Sequence, residues 1–505
     1  MWANQNSSIF SEVMCNNMPT QTKICKKRET NMSGYLKNRL VKIAAFLTLI
    51  SVQSATALEI ESDFDYLRSP KTTITGLHRL FVGIPVGENL SFGQSLYSGA
   101  AGDGGGAFFW GFEGVKRLPI TPRWNLAFSG FLGGGGGAGQ VVGDGTMSRV
   151  GGTVEYALTS NWSARAGVSH ISISGATIND WSSSFGLRYL ITPEPKSNDI
   201  DGLKLARTSI RTSRFQFPNA LSRSGTSQSE LGLLGAEASF DISNNYETFL
   251  GADGAISGGD GYMQVIGGLR KRWPLGPVSF LGQASVGFGG GGNVDTGSGL
   301  ILGASLGMAF PISDSFDLDL TYGTLNALSS GVSGNGTQLS LSRVFDRDRS
   351  TKDREEEQQW QVGLGISIQP PNASYMKSRS NVGIQPVMQE SSIDYFISTK
   401  TYLTGNAQTT ISGGVAGYAV GLLGLGHEFT LGEVWRMSVE GHFGAAGGGG
   451  VDVGKGLLGG ARLEADYILN SNNSVSLGLG VLKSFDGGMN VPIVQLGFKH
   501  RFKTN

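Results

Sequence analysis

The chain has 505 residues, 78 of them glycine and 15 proline, and glycine stands well above its ordinary usage of about 7%. Glycines without a three-residue period exclude collagen, and 40 basic against 40 acidic residues exclude a binder that works by neutralising nucleic-acid phosphates. A hydrophobic content of 39% excludes a disordered chain, which leaves a large, glycine-rich protein of β type.

The N-terminus comes first. Lys37, Arg39 and Lys42 precede an apolar run over 43–52, and Ala55, Thr56 and Ala57 then put small residues where a signal peptidase reads. Residues 1–57 are therefore expected to be an extension plus signal peptide, cleaved near Ala57, with Met32 as the true start. The apolar run is too short to cross about 30 Å of hydrocarbon, so a retained membrane anchor is the weaker reading. Both cysteines, Cys15 and Cys25, fall in this part, so the mature chain is expected to have no disulfide and no cysteine-bound metal. Seven basic and two acidic residues leave with it, which makes the exported chain mildly acidic.

Three copies of one unit follow. The glycine runs Gly133–Gly137, Gly289–Gly292 and Gly447–Gly450 recur about every 155 residues, the mark of a repeat architecture. Each is preceded by a small-residue turn, in segments beginning at Tyr97, Ile256 and Ile411, and followed by a closing strand beginning at Phe185, Leu339 and Leu496. Glu61 and Glu390 open similar segments in copies one and three, and Phe217 and Pro370 open a Pro-Asn-Ala leader that copy one lacks. The expected organisation is a truncated repeat 1 over 58–195, a polar joint and leader over 196–229, repeat 2 over 230–345, a charged joint over 346–359 and repeat 3 over 360–505. The charged joint reads as a solvated connection.

Within a copy the hydrophobic period is two. From Trp435 to Phe443, Trp435, Met437, Val439 and Phe443 alternate with Arg436, Ser438, Glu440 and His442. From Leu457 to Leu469, Leu463, Ala465 and Tyr467 alternate with Arg462, Glu464 and Asp466, and in the last strand Val494, Leu496, Phe498 and Phe502 alternate with Gln495, Gly497, Lys499 and Arg501. Such runs predict strands with one apolar and one polar face. Segments of about ten alternating residues that end in aromatics, such as Trp124, Tyr156, Trp162, Tyr189, Trp273, Trp435 and Tyr467, carry the signature of a transmembrane β-barrel. A soluble array of β-sandwiches is the alternative.

The closing segment, Gln495 and Gly497 followed by alternating positions up to the aromatic Phe502, resembles the C-terminal assembly signal of bacterial outer-membrane β-barrel proteins. It departs from that pattern at His500 and in the trailing Lys503-Thr504-Asn505. The resemblance implies residence in the bacterial outer membrane, contact with its lipids and insertion by the barrel-insertion machinery. It names an architecture and no activity.

Copies two and three each divide into about eight strand-like segments and copy one into about one fewer; because bacterial barrels have even strand counts, one closed antiparallel barrel of 22–24 strands is expected. Three tandem eight-stranded barrels are the competing arrangement, since eight strands close alone.

Candidate chemistry is sparse. No glycine run leads into Gly-Lys-Ser/Thr, so the runs read as wall-shaping rather than phosphate-binding, with room for a lumenal segment or another copy packed against them. His170 and Ser172 point the same way on an alternating strand; a small family of outer-membrane lipid A deacylases carries a similar His-x-Ser pair, which would imply acyl hydrolysis. The Asn expected after that Ser is replaced by Ile173, and Asp180 is the nearest downstream acid. The five histidines lack metal-ligand spacing, and no metal or cofactor is expected. Arg436, Glu440, His442, Arg462, Glu464, Asp466, Lys499 and Arg501 are expected to face the lumen, lining or plugging it. Three functions follow in order: a channel or secretion conduit, a non-conducting surface protein, and a lipid acyl hydrolase. No nucleic-acid partner is expected; a secreted substrate or accessory envelope proteins are unidentified.

Overall fold

The computed structural model describes residues 58–68, 72–139, 144–191, 204–243, 245–345 and 358–504. The signal segment 1–57 and most of the charged joint lie outside the described residues. The first eight strands are β1 (Leu58–Leu67), β2 (Ile74–Gly87), β3 (Leu90–Gly102), β4 (Phe108–Pro119), β5 (Trp124–Gly136), β6 (Thr146–Ala157), β7 (Trp162–Ile173) and β8 (Asn179–Ile191). The next eight are β9 (Lys204–Gln216), β10 (Glu230–Ser243), β11 (Tyr246–Ser257), β12 (Met263–Leu275), β13 (Val278–Gly290), β14 (Leu300–Ser313), β15 (Phe316–Ala327) and β16 (Ser333–Val344). The last eight are β17 (Gln358–Ile368), β18 (Val387–Phe396), β19 (Thr401–Ser412), β20 (Ala419–Leu431), β21 (Trp435–Gly447), β22 (Leu457–Ile468), β23 (Asn473–Ser484) and β24 (Asn490–Thr504).

These strands form three closed antiparallel barrels. β1 closes on β8, with Phe64 opposite Phe185; β9 closes on β16, with Ile210 opposite Leu341; β17 closes on β24, with Leu364 opposite Phe498. The single barrel of 22–24 strands is thus corrected: three tandem eight-stranded barrels are the arrangement, and the first copy is a complete ring. The reason lies inside the rings. Eight strands enclose a space just wide enough for side chains to fill, and the inward arginines and carboxylates meet across it. A wide ring would leave the same charges facing open water without partners.

Alternation sets each wall. On β22, Leu463 and Tyr467 are 45% and 44% exposed on the outer face, while Arg462 and Glu464 are buried within. At one end of the barrels the connections are tight turns, such as Glu88–Asn89 with φ +55 at Asn89. Aromatic pairs sit on the outside at this end: Trp124–Tyr156 with centroids 4.7 Å apart, Trp162–Tyr189 at 4.6 Å and Trp435–Tyr467 at 5.1 Å. The other end carries the longer loops and the glycine runs.

The Pro-Asn-Ala leader forms the loops that follow β9 and β17, where ring one has only the short link from β1 to β2. What the first copy lacks is therefore a loop, not a strand. The similar segments at Glu61 and Glu390 are not equivalent, because Glu61 lies on the first strand of its ring and Glu390 on the second. Any strand that alternates acids with apolar residues produces that likeness.

The three barrels close on one another in turn. The third strand of each packs on the fifth of the next: β3 on β13, β11 on β21 and β19 on β5. At the long-loop end, the turns before β4, β12 and β20 press into these neighbours. Gly105 N donates to Gly297 O at 2.7 Å, and Gly417 N donates to Gly135 O at 2.8 Å. A Cβ on Gly447 would lie 2.0 Å from Gly261 Cα. The glycine runs are the seats into which another copy fits, and the head-to-tail contact closes after three steps.

Candidate functional site

Ion pairs cross the inside of each barrel. In ring one, Arg79 lies between Glu61 (2.8 Å), Asp63 and Glu113 (2.9 Å), while Arg117 pairs with Glu59, Glu61 and Glu155. In ring two, Arg211 pairs with Glu237 at 2.6 Å and Asp253 at 2.7 Å, and Arg272 with Glu247 and Asp319, both at 2.8 Å. All of these side chains are buried, so the lumens hold ion-pair networks where a water column would run.

Ring three holds the charges expected to face its lumen. Arg462 meets Glu440 at 2.6 Å and also Glu390, and Lys499 meets Glu464 at 2.6 Å. Arg501 meets Glu428 at 2.7 Å, Arg436 lies 3.9 Å from Asp466, and His442 Nε2 is 3.2 Å from Glu440. Gln495 accepts from Arg462 at 2.6 Å, Gly497 sits opposite Gly365 and Phe502 opposite Trp360. Sequence spacing gives no view of Glu390 and Glu428 as partners, because they come from other strands.

An apolar cap covers the long-loop end of each network. In ring three it contains Tyr375, Val415, Tyr418, Val451 and Met489, all buried. Tyr418 Oη donates to Gln369 at 3.2 Å. Burial pushes the phenols of Tyr375 and Tyr418 up from their ordinary range.

His170 and Ser172 stand on one face of β7, and no hydrogen bond joins them among the described residues. His170 stands edge-on to Trp181, with centroids 5.3 Å apart, and Ser172 lies opposite Asn179. Asp180 is opposite Ile171, a buried inward residue, so the acid lies on the other face of the wall. Ser172→Ala is expected to leave the lipid acylation profile of expressing cells unchanged, measured by mass spectrometry; loss of a deacylated species would restore the hydrolase reading.

The feature that all three barrels build together is a cavity of about 560 Å³ at their junction. Its wall contains backbone of the three glycine runs, with Phe108, Met263, Phe288 and Ala419 as apolar residues and Ser98, Arg223, Asn293 and Thr409 as polar ones. Ser98 and Thr409 are each 2% exposed, and neither buried hydroxyl oxygen has a hydrogen-bond partner among the described residues. Further polar residues of the outward register collect beside it. Gln94 donates to Ser391 between rings one and three, and Gln389 is 1% exposed with both amide atoms unpartnered. Sequence reasoning missed this group, since alternation assigns these positions to the lipid face. A polar residue in an apolar register was the available signal.

No protein-family model and no curated protein matches the chain. Among solved structures, it is similar to the ferric enterobactin receptor PfeA of Pseudomonas aeruginosa, in a mutant form in complex with enterobactin (11% identity, 89% of this chain and 82% of that one, TM-score 0.28). It is similar to the siderophore receptor PirA of Acinetobacter baumannii (11% identity, 90% and 81%, TM-score 0.27) and to Pseudomonas aeruginosa OpdK with vanillate (10% identity, 90% and 100%, TM-score 0.23). These are bacterial outer-membrane β-barrel proteins, and likeness at this level carries no argument about activity.

Proposed function

We propose that the chain is an outer-membrane conduit whose route is the axis between its three barrels rather than any of their lumens. The observation that carries this reading is the central cavity, built by glycine backbone from all three rings, while ion pairs cross every lumen. Polar side chains on a lipid-facing wall are costly. Gln94, Ser98, Ser391 and Thr409 avoid that cost by lying between barrels, with Gln94 donating to Ser391 across the contact of rings one and three. With the reading go export by a signal peptide cleaved near Ala57, insertion by the barrel-insertion machinery, and an orientation with the tight turns towards the periplasm.

Planar bilayers test it. The folded full chain is expected to give unitary currents that Met263→Trp and Ala419→Trp, both in the cavity wall, reduce to a small fraction. Gln283→Leu, inside ring two, is expected to leave the currents as they are. Silent bilayers with correctly folded protein would sink the conduit. The ion pairs across the lumens then favour the second reading, a non-conducting surface protein whose loss disturbs the envelope.

A further inference from the structure

We infer that the outer wall of ring one carries a site for the headgroup phosphate of an anionic membrane lipid, centred on Arg68, the residue that follows β1. This is independent of the conduit reading, because it needs only that the outward faces of the barrels meet lipid.

Strand alternation puts Arg68 there. Glu59, Glu61, Asp63, Asp65 and Leu67 are buried inside the ring, so Tyr66 and then Arg68 take the outward register. The guanidinium stays on the wall, where Arg68 Nη2 donates to Ser183 Oγ at 2.9 Å. Ser183 stands on the outward face of β8 between Trp181 and Phe185, which are 63% and 61% exposed. No carboxylate pairs with Arg68 among the described residues. A guanidinium is always charged and has five N–H donors, so the fork that Ser183 leaves free can take two oxygens of one phosphate. A lone cation on a lipid-facing wall is costly at mid-depth and tolerated near the interface, and an anionic headgroup supplies the missing countercharge.

Depth favours a lipid over a free ion. Exposed Tyr66 and Trp181 flank the site, and such aromatics sit at headgroup level. On β7, Val168 lies opposite Ser183 and His170 opposite Trp181, so the outward face passes from apolar to polar at this height. Towards mid-membrane, Phe64 and Phe185 stand with ring centroids 5.5 Å apart and offer an acyl chain an apolar wall. A phosphate at Arg68 and a chain on these rings belong to one amphiphile. Rings two and three lack the site. Arg214 is outward on β9 but pairs with Glu230, and β17 has Leu364, Ile366 and Ile368 in the outward register. One lipid per chain is therefore expected.

The test is native mass spectrometry of the folded full chain released from detergent micelles, with phosphatidylglycerol, phosphatidylcholine of the same acyl chains, and inorganic phosphate as probes. The chain is expected to retain one phosphatidylglycerol above the phosphatidylcholine background, and no inorganic phosphate. Arg68→Gln is expected to weaken that retention by about tenfold, the size of a lost charge-assisted hydrogen bond. Arg214→Gln is expected to leave it unchanged, and heat-modifiable mobility checks that both variants fold. Phosphatidylcholine held as well as phosphatidylglycerol, inorganic phosphate held without a lipid, or equal retention by folded Arg68→Gln would each overturn the assignment.

Discussion

Arg79→Leu is expected to destabilise ring one by about 3 kcal/mol, the lower part of the range for breaking a buried ion pair. Arg79 is fully buried and bridges Glu61, Asp63 and Glu113. Without it, Glu61 keeps Arg117 and Arg165, and Asp63 keeps Arg165 at 3.3 Å. Glu113 retains only Arg149, at 3.7 Å, among its ion pairs. The loss therefore concentrates on Glu113, and Arg79→Leu with Glu113→Leu should be less destabilised than Arg79→Leu alone. Arg214 and Glu230 form the comparison, because their side chains are 65% and 37% exposed; Arg214→Leu is expected to cost under about 1 kcal/mol. Urea unfolding of the reconstituted protein, followed by heat-modifiable mobility, reads all three. Equal losses at Arg79 and Arg214 would mean that the lumen network does not hold the ring.

The same network explains what could be read from the sequence and what could not. Period-two alternation is local, and it puts Leu463 and Arg462 on opposite faces whatever barrel they belong to. The strand character of the chain and the closing strand of each ring were legible in this way. The number of rings was not. Phe185 pairing with Phe64 is a contact between the two ends of one repeat, and a single large barrel would give the same alternation with different neighbours. Charge partners are equally non-local: Arg462 meets Glu390 from four strands earlier. The central site was hidden for a related reason. Ser98 and Thr409 lie in the outward register, and only the packing of three closed rings turns that face from lipid towards a shared cavity. The glycine runs did mark the place, as an excess of backbone without side chains at one position of each copy.

That excess yields the second large effect. Gly447→Ala is expected to loosen ring three from ring two while leaving each barrel folded. Gly447 needs no special backbone conformation, so the substitution isolates packing. Its Cβ would lie 2.0 Å from Gly261 Cα and 2.4 Å from Gly261 N, and both are backbone atoms that move only if a whole turn or barrel moves. Overpacking of this kind typically costs about 1–3 kcal/mol, here charged to the junction alone. Gly441 is the control, since it lies on the same strand, β21, and a Cβ there meets nothing within 4 Å. With a protease site engineered into the joint at 346–357, ring three still packs on ring one through β19 and β5, so the cut Gly447→Ala protein should come apart on native gels at lower urea than the cut Gly441→Ala protein. Gly448 lines the cavity, so the same variant should lose the axial currents even when uncut. If the two alanine variants behave alike in both measurements, the glycine seats do not hold the three barrels together, and the cavity between them is not a route.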